Sequence, residues 1–296
     1  MRRTLGSPSI SVIWANAGFG FRAGLGLGAS WPTAGRTKRD AVKTLSLAEI
    51  QERKCSFAIS RQRKRPCTTL QFVSANVISR MTPESDIGKR IAKSGIIAVL
   101  MIEREEDAVP TVRALLNGGV DAIELTLRTD AALAALYRIR HEVPQILAGV
   151  GTIINPRQVG QVKDTGAHFG VAPGVNAEVV MHAKHNGLPF TTGVMTPTDI
   201  DQSITLGCRL LKFFPAESAG GLKHLHNIAA PYQHLGMGFI PLGGVNPDNL
   251  QEYLSSPLVT AVGGSWLAPK DLIAEQNWDE ISRRAEHARK VADKIS

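Results

Sequence analysis

The chain has 296 residues, room for one large domain or two small ones, and 43% of them are hydrophobic. Its net charge of +8 is unevenly spread: the first 80 residues hold 14 Lys/Arg against Asp40, Glu49 and Glu52, while the other 216 hold 20 basic and 23 acidic residues, a net −3. The larger part is therefore no polyanion binder, no nucleic-acid or membrane partner is expected for it, and its longest apolar run, 96–102, is far too short to span a bilayer.

Residues 1–80 show neither helical nor strand periodicity. They hold a glycine patch (Gly18, Gly20, Gly24, Gly26, Gly28), Trp14, Trp31 and a basic cluster at Arg61, Arg63, Lys64 and Arg65. Gly18-Phe19-Gly20 is not a dinucleotide fingerprint, because no βαβ pattern surrounds it. The segment is expected to be a basic extension, disordered or non-native, upstream of a start at Met81. An Arg-rich transit peptide and a polyanion-binding tail are the alternatives its composition permits.

From Met81 onward one theme repeats. After a short helix over 84–93, apolar runs begin at 95, 121, 145, 168, 189, 209, 238 and 259, each followed by a polar or glycine-containing turn and a helical stretch. The intervening helices read as 107–116, 131–142, 156–165, 177–186, 197–206, 222–230 and 247–254, and a last one covers 278–294. Pro156, Pro197 and Pro247 sit where a first helical turn tolerates proline. Eight strand–helix units in residues 81–296 predict an α/β protein, a (β/α)8 TIM barrel, with an open doubly wound sheet as the alternative. Barrel closure would put reactive residues at the C-terminal strand ends, on the inward alternation.

The sixth run, Arg209-Leu210-Leu211-Lys212-Phe213-Phe214-Pro215, places one cation in an apolar strand. Such a lysine either snorkels its amine to water or stays buried as a nucleophile. In the second run Glu124, Thr126 and Arg128 are spaced two apart and so share a face. With Lys212 directed into the same barrel, Glu124, Arg128 and Lys212 are expected to cluster at its mouth, where burial and a second cation favour the neutral amine. Thr152 ends the third strand after Gly149 and Gly151 and offers a hydroxyl to a carboxylate. The seventh and eighth strands end in Gly243-Gly244 and Gly263-Gly264-Ser265, the pattern of a barrel phosphate site built from backbone N–H groups. Pro173 and Phe214 are further pocket candidates. His182 and His185 lack a third ligand, and Cys55, Cys67 and Cys208 lack metal-ligand or disulfide spacing. No metal or cofactor is expected, since a Schiff base is its own electron sink, and the cysteine usage fits a reducing compartment.

Residues 81–296 resemble the bacterial 2-dehydro-3-deoxy-phosphogluconate (KDPG) aldolases, class I lyases of the Entner–Doudoroff pathway. The most specific pieces are Glu124-Leu125-Thr126-Leu127-Arg128-Thr129, Gly151-Thr152, Lys212-Phe213-Phe214-Pro215-Ala216-Glu217 and Gly263-Gly264-Ser265-Trp266. The resemblance implies Lys212 as the Schiff-base lysine, Glu124 as general acid/base, Arg128 and Thr152 on the pyruvate carboxylate, and Gly243, Gly244 and Ser265 on the phosphate. It also implies a cytoplasmic homotrimer with a second activity on 4-hydroxy-2-oxoglutarate. Leu242 stands where the family usually has threonine, and Ala172 where a serine often precedes the proline. A galactonate-specific aldolase and a phosphate-binding barrel without lyase activity are the alternatives.

Overall fold

A computed structural model describes residues 81–295. The expectations for residues 1–80 lie outside the described residues. The elements run in chain order as α1 (Asp86–Ser94), β1 (Ile96–Leu100), α2 (Ala108–Asn117), β2 (Ala122–Thr126), α3 (Ala132–Glu142), β3 (Leu147–Gly151), α4 (Pro156–Asp164), β4 (Phe169–Val171), α5 (Ala177–His185), β5 (Phe190–Thr191) and β6 (Gly193–Val194). There follow α6 (Pro197–Thr205), β7 (Leu210–Phe213), α7 (Gly221–Ala229), β8 (Gly238–Pro241), α8 (Leu250–Leu254), β9 (Val262–Gly264), α9 (Lys270–Ala274) and α10 (Trp278–Ala292).

Local chemistry sets the helix starts. Ser85 accepts from the Gly88 N–H to open α1, and Gly95, in the left-handed region at φ 67°, closes it. Asn155 with Gln158 and Thr196 with Asp199 form capping boxes ahead of α4 and α6, each with proline in the first turn. The 247–254 helix begins only at Leu250. Asn249 Oδ1 accepts from Asn246 N–H and Asn246 Oδ1 from Asp248 N–H, so these side chains hold a turn where Pro247 alone suggested helix. The single strand expected from 189 to 194 is two short pieces around Thr192, whose hydroxyl bonds that of Ser203 at 2.7 Å.

All pairings are parallel, as strand–helix alternation requires. Six strands form one sheet in the order β5-β4-β3-β2-β1-β9, and three form another, β6-β7-β8. The sheets are joined at both edges. On one side β5 runs through Thr192 into β6, and the Thr191 hydroxyl of β5 donates to Leu210 O of β7. On the other, Phe239 N–H donates to Leu258 O at 2.9 Å and Leu242 bridges to Gly263. The α/β architecture is thus a curled parallel sheet clad in helices.

Strand alternation divides the apolar residues into two cores. Ile123, Leu125, Leu211 and Phe213 face the helices in the larger cluster. Met81, Ile97, Ala122, Leu147, Phe169, Leu210, Ile240 and Leu242 fill the concave side. Glycines fit this inner layer: a Cβ at Gly149 would lie 2.2 Å from the Phe169 ring, and one at Gly263 would lie 2.6 Å from Leu242 Cγ. No helix among the described residues is long and apolar enough to cross a membrane.

Candidate active site

Alternation in β7 sends Leu211 and Phe213 outward, so Leu210 and Lys212 point to the concave side. In β2 the same rule turns Ala122 and Glu124 inward. The two strands are not neighbours, yet their side chains meet. Lys212 Nζ donates to Glu124 Oε1 at 3.0 Å, with side chains 8% and 3% exposed. Taking two such charges out of water is unfavourable unless they pair. The pair therefore holds each partner in place. The cavity around it is about 10 Å³, bounded also by Ile97, Phe169, Thr191 and Leu242; that is room for roughly one water.

Gly151 makes the carboxylate's position possible. An added Cβ there would stand 2.0 Å from Glu124 Oε1. Glu124 Oε1 is its bonded oxygen, and Oε2, unlike Arg140 Nη1, is not sealed off without a partner. On the lysine side the Phe214 ring centroid is 5.1 Å from Nζ, within cation–π range, and Phe214 is 37% exposed. The Phe214–Pro215 peptide is cis.

Thr126 ends β2, and its hydroxyl donates to Leu100 O at 2.9 Å. The chain then bends, with Arg128 N–H donating to Thr126 O. The Arg128 side chain is exposed beyond the strand end, with no hydrogen-bond or ion-pair partner among the described residues. The charged group that meets Lys212 is thus the Glu124 carboxylate. Thr152 is half-buried at φ 63°, a left-handed conformation that costs a β-branched residue about 1–3 kcal/mol.

Gly243 and Gly244 follow β8 at φ 90° and 92°. Their loop packs on the one after β7: Ala216 N–H donates to Leu242 O at 2.7 Å and Glu217 N–H to Gly243 O at 3.0 Å. A Cβ on Gly244 would lie 2.5 Å from Glu217 Cβ, and one on Gly264 would lie 1.6 Å from the Trp266 ring. Gly263 and Gly264 belong to β9, and Ser265 is exposed just after it. The N–H groups of Gly244 and Ser265 donate to no acceptor among the described residues. Pro173 is exposed after β4, its carbonyl 2.0 Å from where a Cβ on Gly193 would lie.

One feature carried no signal in the sequence, and a second has a role the sequence did not suggest. Tyr253 is buried, and its hydroxyl donates to Glu217 Oε1, bracing the loop that Gly243 and Gly244 contact; burial, then Glu217, push its pKa up. Leu242, counted as a missing hydroxyl, lies against the cavity and closes over Gly263. A larger cavity, about 420 Å³ and bounded by Trp266, Arg283, Arg284 and His287, contains none of the paired reactive groups. The chemistry belongs where the lysine and carboxylate meet. Among the described residues no group of three His, Cys, Asp or Glu side chains could hold a metal ion.

Residues 87–284 match the family described as KDPG and KHG aldolase. The KHG/KDPG aldolase of Escherichia coli K12 is 37% identical over 193 residues, 65% of this chain and 90% of that protein. The 2-dehydro-3-deoxy-phosphogluconate aldolase of Treponema pallidum is 40% identical over 187 residues, 63% and 88%. Among solved structures, the KDPG aldolase of Legionella pneumophila, with pyruvate captured at low pH as a covalent carbinolamine intermediate, is 35% identical. The match covers 69% of this chain and 98% of that one, with a TM-score of 0.66.

Proposed function

The chain belongs to the KDPG and KHG aldolase family and is a carbon–carbon lyase; from that premise we propose that Lys212 is its Schiff-base nucleophile and Glu124 its proton shuttle. The enzyme cleaves 2-dehydro-3-deoxy-6-phosphogluconate to pyruvate and glyceraldehyde 3-phosphate, and acts also on 4-hydroxy-2-oxoglutarate, giving pyruvate and glyoxylate. One observation carries the assignment of roles: a buried amine whose protein acceptor is a buried carboxylate at 3.0 Å. Passing one proton from Nζ to Oε1 yields a neutral amine and a neutral acid, the forms needed to attack a ketone and protonate its oxygen.

The amine adds to the C2 ketone, Glu124 protonates the resulting alkoxide, and loss of water gives the protonated imine. Glu124, again a carboxylate, removes the C4 hydroxyl proton, directly or through a water. The C3–C4 bond breaks, its electrons flow into the imine, and glyceraldehyde 3-phosphate departs. The remaining enamine takes a proton at C3, and water releases pyruvate and the free amine. Arg128, exposed and unpaired, binds the substrate carboxylate in bidentate fashion, with the Thr152 hydroxyl beside it. Gly243, Gly244, Gly263, Gly264 and Ser265 form the phosphate loop pair, supported by the unpaired N–H groups of Gly244 and Ser265. Pro173 and Phe214 wall the mouth.

This reading takes residues 81–296 as one closed (β/α)8 barrel, supported by the hydrogen bonds that join the two sheets at both edges. It counts β5 and β6 as one strand. The enzyme is taken as a cytoplasmic homotrimer, on the family resemblance. Borohydride reduction in the presence of pyruvate tests the central step: mass mapping should find the reduced adduct on Lys212 and none in Lys212→Met. A folded enzyme with unmodified Lys212 would overturn it.

A further inference from the structure

The loop after β8 is held in place by its carbonyls. Glu217 N–H donates to Gly243 O at 3.0 Å. Asn246 Nδ2 and Asn249 Nδ2 both donate to Gly244 O, at 3.2 and 3.1 Å. Asn249 Oδ1 in turn accepts from Asn246 N–H at 2.8 Å, so its amide is fixed through both of its polar atoms. These peptides are trans and planar, so each N–H points opposite to the carbonyl of its own peptide unit. With Gly243 O facing the loop after β7, the Gly244 N–H faces away from that loop. With Gly244 O facing the two asparagines, the Val245 N–H faces away from them. Neither N–H has an acceptor among the described residues. Gly244 and Ser265 each stand two residues past the Leu242–Gly263 bridge, so their free N–H groups lie on adjacent loops at the same strand end.

The other side of this loop is braced from α8. Tyr253 is buried, and its hydroxyl donates to Glu217 Oε1. Burial first, and then Glu217, push its pKa up, so the hydroxyl stays a donor. Glu217 is itself exposed, and the tyrosine hydroxyl keeps its carboxylate from turning into solvent. That restraint reaches Gly244, because Glu217 Cβ and Cγ each lie 2.5 Å from where a Cβ on Gly244 would stand. Asn249, at the cap of α8, and Tyr253, within it, are four residues apart and share a helix face. One short helix thus holds the Gly243–Gly244 turn directly through Asn249 and indirectly through the Tyr253–Glu217 contact. Neither side chain borders the cavity around Lys212 and Glu124.

We propose, on the reading that Gly244 and Ser265 bind the substrate phosphate, that Asn249 and Tyr253 are positioning residues that aim the Gly244 N–H at that group. From α8 they set how strongly the enzyme prefers a phosphorylated keto acid to an unphosphorylated one. They touch neither the reacting carbons nor the Schiff-base lysine, so their effect is confined to substrates that carry a phosphate.

Two substrates that share the ketone and its carboxylate but differ in the phosphate provide the test. In Tyr253→Phe and in Asn249→Ala, KM for 2-dehydro-3-deoxy-6-phosphogluconate should rise by about three- to tenfold with kcat nearly unchanged, the scale of one misaligned charge-assisted hydrogen bond. Turnover and KM for 4-hydroxy-2-oxoglutarate should stay as they are, which also verifies the fold. Glu217→Gln, whose amide oxygen still accepts from Tyr253, should keep the unmodified KM, whereas Glu217→Ala should share the rise. Gly244→Ala sets a methyl at φ 92° against Glu217 and so tests the phosphate reading by itself, with a raised KM for the phosphorylated substrate expected. If that KM rises in Gly244→Ala but in neither Tyr253→Phe nor Asn249→Ala, or if these two weaken both substrates equally, the positioning role is overturned and the phosphate site stands. If Gly244→Ala leaves it unmoved, the phosphate binds elsewhere and the positioning role falls with that reading.

Discussion

Gly151→Ala isolates the contribution of the carboxylate's position. Gly151 ends β3 with no positive φ, so alanine meets no backbone strain and the whole effect rests on one methyl. That methyl would stand 2.0 Å from Glu124 Oε1 and 2.7 Å from its Cδ, where real Cβ contacts essentially never fall below 3.0 Å. Oε1 must therefore retreat by about 1 Å, since the close-packed interior offers no slack. Glu124 is 2% exposed and has Lys212 as its side-chain partner. Swinging away leaves a buried ammonium unpaired, and breaking such a pair costs about 3–5 kcal/mol. Misplacing a reacting group by about 1 Å costs roughly 10²-fold in rate, and losing general acid–base help costs about 10²–10⁴-fold. In a coupled pyruvate-release assay kcat should fall by about 10²–10³-fold with little change in KM. Gly160→Ala is the matched control: in mid-α4 its Cβ would meet nothing within 4 Å. It should gain about 0.5–1 kcal/mol of stability and keep full turnover. A Gly151→Ala enzyme with unaltered kcat and melting temperature would refute the claim that Glu124 acts from this fixed position.

Glu124→Gln keeps the shape and can still accept from Nζ through its amide oxygen, but cannot carry a proton. Its kcat should fall by about 10²–10⁴-fold while borohydride still traps pyruvate on Lys212, and undiminished turnover would count against the shuttle. Thr152→Gly releases about 1–3 kcal/mol of strain against an entropic cost of about 0.5–1 kcal/mol. The denaturation midpoint should rise while KM for the keto acid also rises; a lower midpoint would contradict the strain assignment. His168 sets part of the acid limb of stability. The unfolded chain takes up its proton near pH 6.5 while the folded chain holds out to about 4. Stability is therefore fully present above pH 6.5 and is lost as pH falls through that window. His168→Gln should flatten a melting-temperature profile between pH 6.5 and 4, and an unchanged slope would show that the ring is not held neutral.

The elements were legible because their signals are local. Apolar runs bounded by glycine, and proline or Asn/Thr caps ahead of helices, placed most boundaries within a residue or two. The misses also have local causes. Asn246 and Asn249 delay α8, Gly193 follows the break at Thr192, and the short α9 spans too few residues to show a period. Lys212 and Glu124 could be singled out because each is a charge in an apolar strand, and period-2 alternation gave their facing. What they meet could not be read from spacing. Counting by twos puts Arg128 on the face of Glu124, but the bend at Leu127 ends the alternation and leaves Arg128 outside the strand. The left-handed Thr152 and the Tyr253–Glu217 contact depend on loops that touch only in three dimensions.

The glycines explain why a buried ion pair can remain usable for chemistry. In a concave layer filled by Phe169, Ile240 and Leu242, two charged side chains must take the space of ordinary core residues. Gly149 admits the Phe169 ring, Gly151 admits the carboxylate, and Gly263 admits Leu242. Each missing Cβ lets a larger group from a neighbouring strand occupy a defined position, so the carboxylate is fixed by packing more than by hydrogen bonds. The same economy keeps the pair open to exchange. Nζ has three protons and only Glu124 Oε1 as a side-chain acceptor among the described residues. A keto acid can therefore take over the lysine's contact without dismantling a larger network, and Glu124, held by the shape around it, stays in place to receive and return the proton.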